Sequence, residues 1–226
     1  MNSNSISVRS HRQLGCRRGF TLIELLCVVA VIGLMTSLSI FSVNSIAAGK
    51  QLANNAYELA GVIRMARTAA IAQNTYVGIG FYKASQGNQD VLMVATIVSK
   101  TGQLSDLQDS NRYQLLSKCA VLKNVQFDEQ ENYLNLSGID EANNVDVLQS
   151  QRMVQANIGG GQSENFSNVI VINPSGAISM MNSGGSDELT RCVGIGLKAS
   201  PSSASKVRLA AVQVTGLSGQ ISVFLQ

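Results

Sequence analysis

The sequence predicts an α+β fold, in which a long N-terminal helix packs on antiparallel β-sheet. Three observations predict it. Residues 20–73 hold an apolar run that passes into a helical stripe with no proline. After residue 74 the apolar spacing shortens to two. Turn residues (Gly, Asn, Ser and Pro) then punctuate a series of short runs. At 226 residues the chain can bury a core of its own and still carry appendages.

The first element is a basic leader. The formal net charge is +3, but Arg9, Arg12, Arg17 and Arg18 all precede Phe20, where no acid stands. Of 17 Lys and Arg, the other 13 face 14 Asp and Glu. The basic balance therefore belongs to the leader and does not mark a nucleic-acid surface.

The next element is an apolar span. Leu25–Ile40 is almost wholly apolar, and no charge follows Glu24 until Lys50. About 20 such residues cross a bilayer core. Arginines on the N-terminal side keep that end cytoplasmic and send the remainder out. A secretory signal cut near Ser45-Ile46-Ala47 is the competing reading. The run is too long for it, and Glu24 stands where such a signal is purely apolar. A carboxylate inside a span calls for a partner. Locally, Thr21-x-x-Glu24 fits a capping box, and an acid in the first turn suits the helix dipole. A glutamine would cap without bringing a charge, so capping alone explains Glu24 poorly.

Beyond Lys50 the helix becomes amphipathic. Leu52, Ala56, Leu59, Ile63, Ala66 and Ala70 recur at steps of four and three, with Asn54, Asn55, Glu58, Arg64 and Arg67 between them. One helix over 20–73 would be about 80 Å long. Gly33 is a helix weakener that permits a bend, permits close helix packing or is neutral. Strands follow at Tyr76–Lys83, Val91–Val98, Tyr113–Leu116, Ala120–Phe127, Val169–Asn173, Ala177–Met181, Val193–Lys198, Val207–Val214 and Gln220–Leu225. Pro174-Ser175-Gly176 is a tight turn, and Thr215–Gly219 is a hairpin loop. Segments 99–111, 128–167 and 182–190 read as loops, with Gly159-Gly160-Gly161 the most flexible point.

Gly19-Phe20-Thr21-Leu22-Ile23-Glu24 followed by an apolar helix resembles the N-terminus of type IV prepilins and type II secretion pseudopilins, over residues 15–48. The resemblance implies a pilin-like fold and cleavage between Gly19 and Phe20 by a prepilin peptidase. It also implies N-methylation of Phe20. Glu24 would pair with the terminal amine of a neighbouring subunit, which matches the need of a buried carboxylate for a cation. The parts are then a leader (1–19), a transmembrane and filament-core half-helix (20–48), an amphipathic half-helix (49–73) and an exported head (74–226). The helix end Ala66–Asn74 and the Asn173-Pro174-Ser175-Gly176 turn resemble the minor pilins and pseudopilins of the GspH/FimT type. Ala211–Gly219 is similar to the Verru_Chthon cassette protein D group.

The remaining candidates are few. Cys16 falls in the leader and Cys27 in the span, so Cys119 and Cys192 are the pair that reaches an oxidising side, as a disulfide or as two buried thiols. The one histidine, His11, lies in the leader, which removes His-based catalysis and His metal ligation from the processed chain. Asp128, Glu129 and Glu131, and then Asp140, Glu141 and Asp146, offer oxygen ligands to calcium but lack EF-hand spacing, and a solvated loop accounts for both. Gly159–Gly161 lacks the Lys-Ser/Thr ending of a phosphate loop. Arg191, Lys198, Lys206 and Arg208 would serve DNA if they gathered on one face, but aromatics for stacking are sparse there.

The expectation is a non-enzymatic pilin-like subunit with no cofactor, metal or small-molecule substrate. Its partners are the prepilin peptidase, other pilin or pseudopilin subunits and the inner membrane, with the head on the periplasmic side. A single-span anchored binding protein that never polymerises is one alternative, and a FimT-like subunit for DNA uptake is another.

Overall fold

The computed structural model describes residues 20–87, 89–159, 162–181, 187–200 and 207–226. The leader with Gly19, Cys16 and His11 lies outside the described residues, as do Gly160, Gly161, residues 182–186 and Lys206. So do the side chains of residues 37–48. The chain divides into two compact units, Met1–Asn44 and Ser45–Gln226.

Helix α1, Leu22–Gln73, begins two residues later than its sequence pattern because Thr21 is its cap. It stops at Asn74, whose φ of +50° is left-handed. There the amide of Asn74 bonds to the carbonyl of Ile71 (3.3 Å) and that of Thr75 to Ala70 (3.0 Å). This is the paired closure that satisfies the last carbonyls of a helix, and asparagine is the non-glycine residue best suited to it.

In the second unit, Leu52, Ala56, Leu59, Ala60, Ile63, Ala66 and Ala70 of α1 are buried against two sheets. Asn55, expected on the polar face, is buried as well, and its Nδ2 donates to the carbonyl of Lys123 (2.9 Å). The strands are β1 (Val77–Gln86), β2 (Gln89–Ser99), β3 (Tyr113–Leu115), β4 (Ala120–Lys123), β5 (Val125–Phe127), β6 (Asn144–Asp146), β7 (Val154–Gly159), β8 (Gln162–Ile172), β9 (Ile178–Met181), β10 (Asp187–Leu189), β11 (Cys192–Ala199), β12 (Leu209–Thr215) and β13 (Ile221–Leu225).

The first sheet runs β10-β9-β8-β1-β2-β3, with β4 also on β2 and β7 on β8. The second runs β13-β12-β11-β5, with β6 on β11. The pairs are antiparallel except β6–β11, which is parallel. This is the α+β, pilin-like arrangement that the sequence predicts.

Strand β2 is buried on both sides. Leu92, Val94 and Val98 join the core under α1, while Val91, Met93, Ala95 and Ile97 join a second core with Val154, Phe166 and Val171. The loop predicted over 128–167 is therefore partly strand. β7, the first half of β8 and the short β6 all fall within it.

The strand predicted over Ala120–Phe127 is two strands, β4 in the first sheet and β5 in the second. Asn124 turns the chain between them at φ +55°. Its amide bonds to the Asp90 carbonyl (2.8 Å) and its carbonyl accepts from the Ser200 amide (2.9 Å), so both sheets fix the corner.

The predicted turn after β8 is present. Asn173 Oδ1 accepts from the amides of Ser175 and Ala177 (3.0 Å each), and Gly176 takes φ +83°.

Candidate functional site

The first turns of α1 carry the residues expected to matter most. Thr21 and Glu24 close a capping box. The Thr21 amide and hydroxyl each donate to Glu24 Oε2 (2.9 Å), and the Glu24 amide donates to Thr21 Oγ1 (3.3 Å). The carboxylate is thus held at the start of the helix and is exposed to solvent.

Around it the surface is apolar. Phe20, Leu22, Ile23, Leu25, Leu26, Val28, Val29, Val31, Ile32, Leu34 and Met35 are between 50% and 82% exposed. Such residues point to every side of a helix, which fits lipid or other helices rather than water. Thr36, the polar residue there, turns its hydroxyl onto the carbonyls of Ile32 (2.9 Å) and Gly33 (3.0 Å). A backbone-bonded hydroxyl needs no outside partner. Beside Gly33 a Cβ would meet no atom within 4 Å. Among the described residues no helix is long and apolar enough to cross a membrane. The side chains described in this run end at Thr36, short of the full apolar stretch in the sequence.

The head candidates separate in space. Cys119 lies in the core behind the first sheet, near the Asn157 carbonyl, whereas Cys192 begins β11 in the second. Both are free and buried, so no bridge joins them in this structure. Burial raises the pKa of each thiol, with nearby Asp140 adding to the rise at Cys192.

The acidic residues are largely engaged in holding loops. Asp128 accepts from the Tyr133 amide (2.8 Å) and Asn132 Nδ2 (3.1 Å), and Glu129 pairs with Lys83. Asp140 takes Asn143 Nδ2 (2.9 Å), and Asp146 takes the Leu148 amide (2.7 Å). Among the described residues no three His, Cys, Asp or Glu side chains gather as for a metal ion. Arg191 and Lys198 stand at opposite ends of β11, with Arg191 Nη1 donating to Asn143 Oδ1 (2.8 Å).

One buried network has no signature in the sequence. Tyr133 lies across Gly194 and Gly196 of β11, where a Cβ would come within 2.7 Å and 2.1 Å of it. Its hydroxyl donates to Asp146 Oδ2 (2.6 Å) and accepts from Asn144 Nδ2 (2.9 Å). Burial raises the pKa of both Tyr133 and Asp146. The three groups satisfy one another and hold the outer segment onto the second sheet.

Comparison with known protein families finds the prokaryotic N-terminal methylation motif over residues 15–42. No curated protein and no solved structure matches the chain. The motif covers the capping box, Glu24 and the whole exposed apolar stretch from Phe20 to Met35. It implies processing by a prepilin peptidase and anchoring in the inner membrane by the N-terminal hydrophobic segment.

Proposed function

We propose that this chain is a minor pilin or pseudopilin of the GspH/FimT type, a structural subunit of a type IV pilus or type II secretion pseudopilus. A prepilin peptidase cuts between Gly19 and Phe20 and methylates the Phe20 amine. Residues 20–48 then hold the subunit in the inner membrane, with the head on the periplasmic side, until it enters a filament of pilin-like subunits.

The observation that carries this reading is the methylation motif laid over the start of α1, where the apolar residues from Phe20 to Met35 are exposed and the one carboxylate is Glu24. Water is a poor solvent for that surface, and neighbouring helices or lipid are good ones. Within one chain Glu24 has its cap. Within a filament the same carboxylate meets the methylated amine of the next subunit, where a neutral residue would leave a buried cation unpaired.

Glu24→Gln separates assembly from anchoring. It keeps a side chain able to cap but removes the charge. The variant is expected to reach the inner membrane at the wild-type level and to fall at least tenfold in sheared filament fractions, the size set by loss of a buried ion-pair partner. Incorporation equal to wild type contradicts the role given to Glu24.

A further inference from the structure

The end of the second unit where α1 enters it is basic. The unit begins at Ser45, and Lys50 is the first charged residue after the apolar run. Lys50 is exposed. Arg208 lies over the same turn of the helix. It shares a cavity of about 340 Å³ with Lys50 and Ala53, and a Cβ at Gly49 would fall 2.0 Å from its Nη1.

Lys123 stands at that level across the helix. Its carbonyl accepts from Gln51 Nε2 (3.3 Å) and Asn55 Nδ2 (2.9 Å), and the residue is exposed. At about 100° per residue, Gln51 and Asn55 lie on the side of α1 opposite Gly49 and Ala53. Lys50, Arg208 and Lys123 are therefore spread around the point of entry. Lys198 is close by, since it pairs in register with Leu209, the residue after Arg208.

Among the described residues, the side-chain carboxylates at this end are Asp90 and Glu129, and both are engaged. Asp90 accepts from Ser200 Oγ, and Glu129 pairs with Lys83. At the far end of α1, about 35 Å from Lys50, the two signs mix instead. Asp109 pairs with Arg112 there (3.4 Å), in the loop that Thr75 Oγ1 ties to the helix end through the Ser99 carbonyl (3.1 Å).

We infer that Lys50, Lys123 and Arg208 dock this end of the head on the anionic phospholipid headgroups of the membrane that anchors the chain. The inference rests on the anchored state proposed above and names a partner for the head in that state. Lys50 comes two residues after Ala48, where the apolar run gives out, and its four-carbon stem lets the ammonium reach back toward the headgroups. Attraction of Lys and Arg to an anionic surface fades within a Debye length, about 8 Å at physiological salt, so the cations that count are those beside the point of entry. The packing of β4 and β12 brings Lys123 and Arg208 to that level.

The test uses the full-length chain with Cys16→Ser and Cys27→Ser, since Cys119 and Cys192 are buried. It is reconstituted in vesicles of phosphatidylcholine alone, or of equal parts phosphatidylcholine and phosphatidylglycerol. Gln89→Cys carries a fluorophore at this end of the head, next to Asp90, whose carbonyl accepts from the Asn124 amide (2.8 Å). A lipid headgroup carries the quencher. Quenching is expected to be stronger on the anionic vesicles and to fall back at high salt. Lys50→Gln with Lys123→Gln is expected to shift the ratio of docked to free heads roughly thirtyfold toward free, with quenching on phosphatidylcholine unchanged. Arg112→Gln, at the far end, is expected to keep the gain on anionic vesicles.

Equal quenching on the two kinds of vesicle overturns the inference. So does a gain that survives the loss of both lysines, or one that Arg112→Gln also removes, which would make it an effect of head charge at large. Extraction with alkaline carbonate reads the anchor separately. If the chain resists extraction and shows no gain on anionic vesicles, the anchoring stands and the head contact is wrong. If carbonate releases the chain while the gain persists and needs the lysines, the contact stands and the anchoring is wrong.

Discussion

Asp106 ties down the loop that follows β2. It is fully buried, and its Oδ2 accepts from Ser99 Oγ, Thr101 Oγ1 (2.6 Å) and the Thr101 amide (3.1 Å). These donors, Ser99 first and Thr101 next, lower its pKa from the ordinary 3.8 to about 2. The folded state thus holds this proton less tightly than the unfolded chain does. The resulting stability is fully present above the ordinary value and disappears as pH falls through about 2. Acid titration of head unfolding, followed by circular dichroism, should show a shallower loss of stability between about pH 4 and pH 2 in Asp106→Asn than in wild type. An identical slope would mean that Asp106 is not tuned in this way. Glu24 differs in kind, because its partner within the chain, Thr21, is three residues away and the cap is formed without the head.

Strand β11 shows why packing across elements decides what local pattern cannot. Glycine is a poor strand residue, yet Gly194 and Gly196 leave the space that the Tyr133 ring fills. Gly196→Ala places a methyl 2.1 Å from Tyr133 Cδ1. The ring must move, breaking its bonds to Asp146 and Asn144, and the expected destabilisation is about 2–4 kcal/mol. Thermal unfolding of the detergent-solubilised chain measures it, and an unchanged melting temperature would refute this account of the site.

The same strand marks the limit of sequence reading. Helix α1, strands β1 and β2 and the Asn173–Gly176 turn were legible because their causes are local, in periodicity or turn chemistry. β7 did carry an alternating signal in Val154, Ala156 and Ile158, hidden among Gln and Asn. Asn124 gave none, because its left-handed corner exists only where two sheets meet. The Tyr133–Asp146 network was likewise unreadable, since its members come together only through β11.

At the scale of the whole molecule, the capping box was legible and the head surfaces were not. Thr21 and Glu24 sit inside one contiguous motif, so the hydrogen bonds between them follow from sequence spacing. One groove joins Arg64, Arg67 and Thr68 to Gly219–Ile221, and another joins Lys50 and Ala53 to Leu225 and Gln226, residues far apart in the sequence. The account as a whole depends on the apolar helix being kept after processing. Mass spectrometry of the protein purified from its native membrane decides this directly. The account predicts a chain that begins at Phe20 and carries one added methyl group on its amine. A chain that begins near Ala48 would mean cleavage after the apolar run, loss of Glu24 and of the exposed helix, and no basis for assembly into a filament.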